Sequence, residues 1–157
     1  MEAARPATAD DLPHLAELSA KALEELTPMR GGAVFVHREG RAAPVTETLA
    51  RDLSDPDAVV VAGTIDEVVV GYAAGRTEVL RDGSTLGIID DLYVDEGARS
   101  VGVGEAMMGS LLEWFRERGC AGVDATALPG NRATKNFFEE SGFTARLLVM
   151  HHRLSPS

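Results

Sequence analysis

With 157 residues, 45% of them hydrophobic and 25% charged, the chain has the length and composition of one globular domain built on a single substantial core. No run approaches the roughly 18 apolar residues that cross a bilayer, and the opening MEAARPATADD lacks the apolar segment of a secretory signal, so no membrane partner and a cytoplasmic location are expected. A net charge of −10 opposes attraction to nucleic acid, and the lone Cys120 has no cysteine to pair with inside the chain.

Residues 2–7 read as a first strand. Thr8-Ala9-Asp10-Asp11 has the form of a capping box opening a helix, on which Leu12, Leu15, Leu18, Ala22 and Leu26 recur at helical spacing. Pro28 ends that helix near Thr27. The stretch to Pro44 carries glycines and arginines without sustained periodicity, and is expected to be a mobile loop or a broken helix. A short helix over Thr46 to Leu53 is closed by Ser54-Asp55-Pro56-Asp57. Two valine-rich strands follow, Ala58 to Gly63 and Val68 to Val79, joined as an antiparallel hairpin, and Arg81-Asp82-Gly83-Ser84 turns into a strand from Leu86 to Val94. After a glycine-bearing turn comes a helix with Val103, Met107, Leu111, Leu112 and Phe115 on its buried face and Gly119 as its cap. A strand over Ala121 to Ala127, a helix from about Asn131 to Ser141, and a final strand from Phe143 to Leu154 complete the order. This succession predicts a mixed sheet with helices on both faces, its strands parallel on either side of the glycine-led helix.

Two features point to chemistry. Arg99-Ser100-Val101-Gly102-Val103-Gly104 sets glycines directly before the first turn of a helix, where unpaired amides and the helix dipole suit an anion such as a pyrophosphate. The antiparallel hairpins upstream argue against a dinucleotide fold, whose phosphate loop opens a βαβ unit. Asp90 and Asp91 are adjacent within an otherwise apolar strand, so they face opposite sides unless a bulge intervenes, and at least one meets an interior or a cleft. His14, His151 and His152 lack company at ligand spacing, and no metal site is expected.

Taken with two further blocks, the chain resembles the GNAT superfamily of acyl-CoA-dependent N-acyltransferases over nearly its whole length. The blocks are Leu92-Tyr93-Val94, similar to the family's splayed and bulged strand, and Asn131 to Phe143, similar to its late helix Asn-x-x-Ala-x-x-x-Tyr followed by Gly-Phe. Arg99 to Gly104 matches the family's pyrophosphate loop, Gln/Arg-x-x-Gly-x-Gly/Ala. The resemblance implies one domain over 1–157 of the α/β (α+β) class, with a mixed, mostly antiparallel sheet of six to seven strands and about four helices on its two faces. It implies N-acetyl transfer from acetyl-CoA, without a metal, to a small-molecule or peptide amine by direct attack.

Implied cofactor contacts are Leu92, Tyr93, Val94, Arg99, Ser100, Val101, Gly102, Val103, Gly104, Glu105, Asn131, Thr134, Lys135 and Phe138. Asp90 is the first candidate for the base that takes the amine's proton, ahead of Asp91 and then Glu78. Met29, Arg30, Phe35 and His37 are candidates for the acceptor side, and a homodimer is expected from the same resemblance. Two departures stand out. Thr134 replaces the family's small alanine, and Phe138 stands where the family carries the tyrosine that returns a proton to the leaving thiolate. Tyr93 and Ser141 are its candidate substitutes, and a CoA-binding module without catalysis is the alternative reading.

Overall fold

The computed structural model describes residues 1–99 and 101–154. Five strands form one sheet in sequence order: β1 (Glu2–Pro6), β2 (Ala58–Ile65), β3 (Val68–Val79), β4 (Thr85–Val94) and β5 (Gly122–Asp124). The first three junctions are antiparallel, and β5 lies parallel to β4, reached through a helix as the sequence predicts. The β2–β3 hairpin turns on Asp66 and Glu67, both at positive φ, the backbone of a two-residue turn that matches strand twist.

Five helices cover the sheet: α1 (Leu12–Leu26), α2 (Gly32–Arg38), α3 (Val45–Ser54), α4 (Val103–Glu117) and α5 (Arg132–Glu140). Alternation along the strands divides the core in two. Val60, Tyr72, Ala74 and Tyr93 pack with Leu15, Leu18 and Leu49 of α1 and α3. Val61, Ala73 and Ile89 pack with Val103, Met107, Leu111 and Phe115 of α4 and with Phe138 of α5. Phe115 reaches so far into the sheet that a Cβ at Gly75 or Gly87 would fall within 3 Å of its ring.

Three expectations need correction. The sheet has five strands among the described residues rather than six to seven, because residues 143–154 pair with nothing as a strand. Leu147, Leu148, Val149 and Met150 are 69–86% exposed, and a consecutive apolar run has no alternation to select one face and register. Arg146, bound to Asp124, ties the start of this segment to β5. Strand β5 itself stops at Asp124 rather than Ala127, since beyond it the chain leaves β4 to form a cleft wall. Helices number five rather than four: Gly31, left-handed at φ 78°, starts the seven-residue α2 inside the segment read as loop or broken helix.

The predicted cap before α1 forms, with the Thr8 amide donating to Asp11 Oδ2 at 2.8 Å. Arg5 Nη1 and Nη2 hold the same carboxylate at 2.8 and 2.9 Å. The Arg5 guanidinium is the main reason Asp11 is held down to about 2, with the Thr8 amide helping against partial burial. A depressed carboxylate pKa stabilises the fold above its unfolded value near 3.9 and loses that contribution as pH falls through its folded value. Urea unfolding between pH 5 and 2 is therefore expected to show a loss of stability that Asp11→Asn or Arg5→Gln makes shallower.

Candidate active site

The site begins with one extra residue in β4. Gly75 pairs with Ile89 and Ala74 with Asp91, so Asp90 has no partner on β3 and forms a bulge. The bulge changes the phase of the strand. Ile89 joins the α4 side of the core, whereas Asp91, only two residues on, faces α1 and α3 with Tyr72. Meanwhile the β4–β5 ladder ends at Ile88 opposite Asp124. From Ile89 to Val94 the edge of β4 toward β5 is open, and the two strands splay.

A cleft of about 700 Å³, counted to its solvent-open mouth, fills this splay. Asp90, Asp91, Leu92, Tyr93, Asn131, Thr134 and Phe138, separated by up to 48 positions in the chain, line it together. Ala22, Leu23 and Leu26 of α1 and Phe35 of α2 line the same cleft. Of the residues proposed for the acceptor side, Phe35 reaches the cleft, while Met29, Arg30 and His37 are not among its lining.

The two carboxylates have different surroundings. Asp91 is 8% exposed and accepts from Arg41 Nε at 2.9 Å, from Arg41 Nη2 at 2.7 Å and from the Tyr72 hydroxyl at 2.7 Å. Arg41, 7% exposed, also donates to Asp52 at 2.8 Å. Burial opposes the Arg41 charge, yet Asp91 and Asp52 outweigh it and hold its pKa above the ordinary arginine value. Burial raises the Tyr72 hydroxyl well above the usual tyrosine range, and Asp91 adds to that. Asp90 is held more loosely: Arg76 Nε lies 3.1 Å from Oδ2, and the Asp90 side chain is 29% exposed. Burial pushes its pKa up, Arg76 pulls it down, and the neighbouring Asp91 charge pushes it up again, for a net rise. Glu78 is 52% exposed beside Arg76, away from the cleft lining.

The glycine turn makes the second half of the site. Gly102 is left-handed at φ 95° and caps α4, whose first internal bond runs from the Ala106 amide to Gly102 oxygen at 3.0 Å. The amides of Val103, Gly104 and Glu105 precede it in the open first turn. Gly104 lets α5 come close, since a Cβ there would lie 3.1 Å from Phe137. Val101 and Glu105 are exposed and Val103 is buried, whereas Ser100 lies outside the described residues.

Arg99 does not offer its side chain to the turn. Its Nε donates to Val94 oxygen at 2.9 Å, its Nη2 binds both Glu25 oxygens at 3.0 and 2.8 Å, and its guanidinium sits 5.3 Å from the Tyr93 ring centre. Tyr93 donates to the same Glu25 at 2.9 Å, and burial together with Glu25 pushes its pKa up to about 12. On α5, Asn131 caps the helix by accepting from the Thr134 amide at 3.3 Å. Lys135 points outward to Glu139 at 3.1 Å, and Ser141 Oγ donates to Phe137 oxygen at 2.9 Å. Phe138 is 8% exposed, stacked at a tilt against Phe143.

Sequence reasoning missed Glu25, Arg41, Tyr72 and Arg76. Glu25 left a trace, because it follows Leu15, Leu18 and Ala22 at spacings of three and four on the apolar face of α1. Arg41 left none, lying in an aperiodic loop whose placement depends on a partner 50 positions away.

A model of the Acetyltransferase (GNAT) family matches residues 21–143, and the chain belongs to that family. Solved structures share its fold. A tetramutant of the BH1408 protein from Bacillus halodurans superposes with a TM-score of 0.81 at 20% identity, covering 96% of this chain and 99% of its own. An aminoglycoside acetyltransferase from an uncultured soil metagenomic sample, in complex with sisomicin, gives 0.70 at 21% identity over 99% and 97% of the two chains. A ribosomal-protein-alanine N-acetyltransferase from Brucella melitensis biovar Abortus gives 0.72 at 17% identity over 99% and 100%. Comparison with curated proteins finds no significant match. No cluster of three or more His, Cys, Asp or Glu placed to hold a metal occurs among the described residues, and no helix there is long and apolar enough to cross a membrane.

Removing Arg41 leaves the Asp91 carboxylate buried without a counter-charge, a change that typically costs about 3 kcal/mol or more. Urea unfolding of Arg41→Met is expected to show a loss of that size, and Arg41→Met combined with Asp91→Leu to recover most of it.

Proposed function

We propose that the chain is an acetyl-CoA-dependent N-acetyltransferase acting on a primary amine, with Asp90 as the general base. The observation that carries this reading is the bulge, which sets a carboxylate of raised pKa in a cleft beside an open strand edge. Acetyl-CoA supplies an acyl thioester, an electrophilic carbonyl on a good leaving group. The residues present suit its anionic end: Gly102 opens the helix at positive φ, and three first-turn amides face outward under the α4 dipole. The open edge of β4 from Leu92 to Val94 supplies backbone groups for the pantetheine arm and amides for the carbonyl oxygen.

An alkyl amine is largely protonated near neutral pH, and its nitrogen attacks only after losing that proton. Asp90 takes it, directly or through one water, and its raised pKa brings the carboxylate closer to the operating range. The nitrogen then forms the C–N bond as the C–S bond breaks, the electron pair of that bond leaves on sulfur, and the second proton of the nitrogen passes to water to give the neutral amide. Phe138 has no proton to return, and Tyr93 and Ser141 are engaged elsewhere. The thiolate takes its proton from water, which its solution pKa near 8.5 permits. Asp91 acts as a positioning residue. Its three donors occupy it, and through Arg41 it fixes the loop before α3 against the bulge.

Loss of the base typically reduces the rate by about 10² to 10⁴. In an assay of CoA release with excess amine, Asp90→Asn is expected to lower kcat by at least about 10², with the KM for acetyl-CoA unchanged. Wild-type activity in the Asn variant at neutral pH overturns the assignment. Phe138 also supports a second reading, a CoA-binding module without turnover. Under that reading calorimetry gives tight acetyl-CoA binding, wild-type chain releases no CoA with any amine, and Phe138→Tyr does. The catalytic reading expects wild-type turnover that Phe138→Tyr changes by no more than about 10-fold.

A further inference from the structure

Resting on the acetyl-transfer reading, we propose that the acceptor is a monoamine on an apolar body, an arylalkyl- or alkyl-amine, and not a polycation such as a polyamine or an aminoglycoside. The cleft that holds Asp90 is lined on its α1 and α2 side by the apolar Ala22, Leu23, Leu26 and Phe35, with Ser19 beside them. All four are half-buried, with apolar surface left open to the cleft. Burying that surface against a hydrocarbon or aromatic group is favourable, and burying it against an ammonium is not.

Charge counts point the same way. The chain carries 25 acidic side chains, yet among the described residues only Asp90 and Asp91 line the cleft, with Arg41 as the one cationic side chain there. Arg41 is shared between Asp91 and Asp52, and the three donors to Asp91 close that carboxylate off. Glu25, next along α1, is occupied by Arg99 and Tyr93. What remains is Asp90, held loosely by Arg76 at 3.1 Å with its side chain 29% exposed, so that a single carboxylate of the cleft is within reach of an ammonium. The further ammonium groups of a polycation would lie against Leu23, Leu26 and Phe35, desolvated and without counter-charge. The acidic surplus of the chain lies outside this cleft and does not select its occupant.

The test follows CoA release from acetyl-CoA with 2-phenylethylamine, hexylamine, spermidine and sisomicin as acceptors. The two monoamines are expected to exceed the two polycations in kcat/KM by about 10-fold or more, the scale on which an apolar pocket discriminates. Leu23→Asp is expected to reduce kcat/KM for 2-phenylethylamine by about 10-fold and to narrow or invert the ranking, with the KM for acetyl-CoA unchanged. The milder Leu23→Ala is expected to move the same ratio in the same direction. Preference for a polycation in the wild-type chain, or a ranking unaffected by both variants, overturns the proposal. If no amine releases CoA, the acetyl-transfer reading falls, and calorimetry with the same amines still decides the cleft's selectivity. Binding of 2-phenylethylamine that exceeds spermidine and is lost in Leu23→Asp upholds it; equal or absent binding overturns it.

Discussion

Ile89 and Asp91 are two residues apart in β4 yet face opposite sides of the sheet, because Asp90 between them has no partner on β3. Much of the site follows from that shift. Before the bulge, Ile89 completes the core under α4; after it, Asp91 and Tyr93 turn to α1 and α3. A strand in strict alternation would place Ile89 and Asp91 on the same face, with the carboxylate inside the apolar layer beneath α4. The bulge also bends β4 near the point where its ladder with β5 ends, and so helps open the cleft.

A buried carboxylate is tolerable only with partners, and the partners of Asp91 come from distant parts of the chain. Tyr72 arrives on β3, and Arg41 on the loop between α2 and α3. Arg41 continues to Asp52 on α3, so one guanidinium joins loop, helix and bulge. A second cluster repeats the arrangement at the end of β4, where Glu25 receives both Arg99 and Tyr93 while Arg99 holds the Val94 carbonyl. In this way α1 is tied to the start of the glycine turn before α4.

The two halves of the site differ in how completely they are specified. The half proposed for the anion is backbone: a left-handed Gly102, the first-turn amides of α4 and a Gly104 thin enough for α5 to approach. The half proposed for the chemistry is side chain, with the Asp90 side chain 29% exposed and Phe138 carrying no proton to supply. A thiolate is a good enough leaving group near neutral pH for that lack to be tolerable.

Elements with a local cause were legible in the sequence. Period-3.6 leucines wrote α1, Gly102 and the apolar face beyond it wrote α4, and the valine runs wrote β2 and β3, because each depends on neighbours a few positions away. The same holds for the glycine-led turn into α4, which lies in one short segment, and the adjacent Asp90 and Asp91 already required a bulge or an acid in an unusual place. Tertiary structure alone decided which of the two acids is buried among three donors and which is held loosely at the cleft. That depends on Arg41, Tyr72 and Arg76, brought from 14 to 50 positions away, and nothing in local spacing encodes such meetings. It also decided the limits of the sheet: 143–154 has the composition of a strand, but a strand exists only where another backbone accepts its hydrogen bonds.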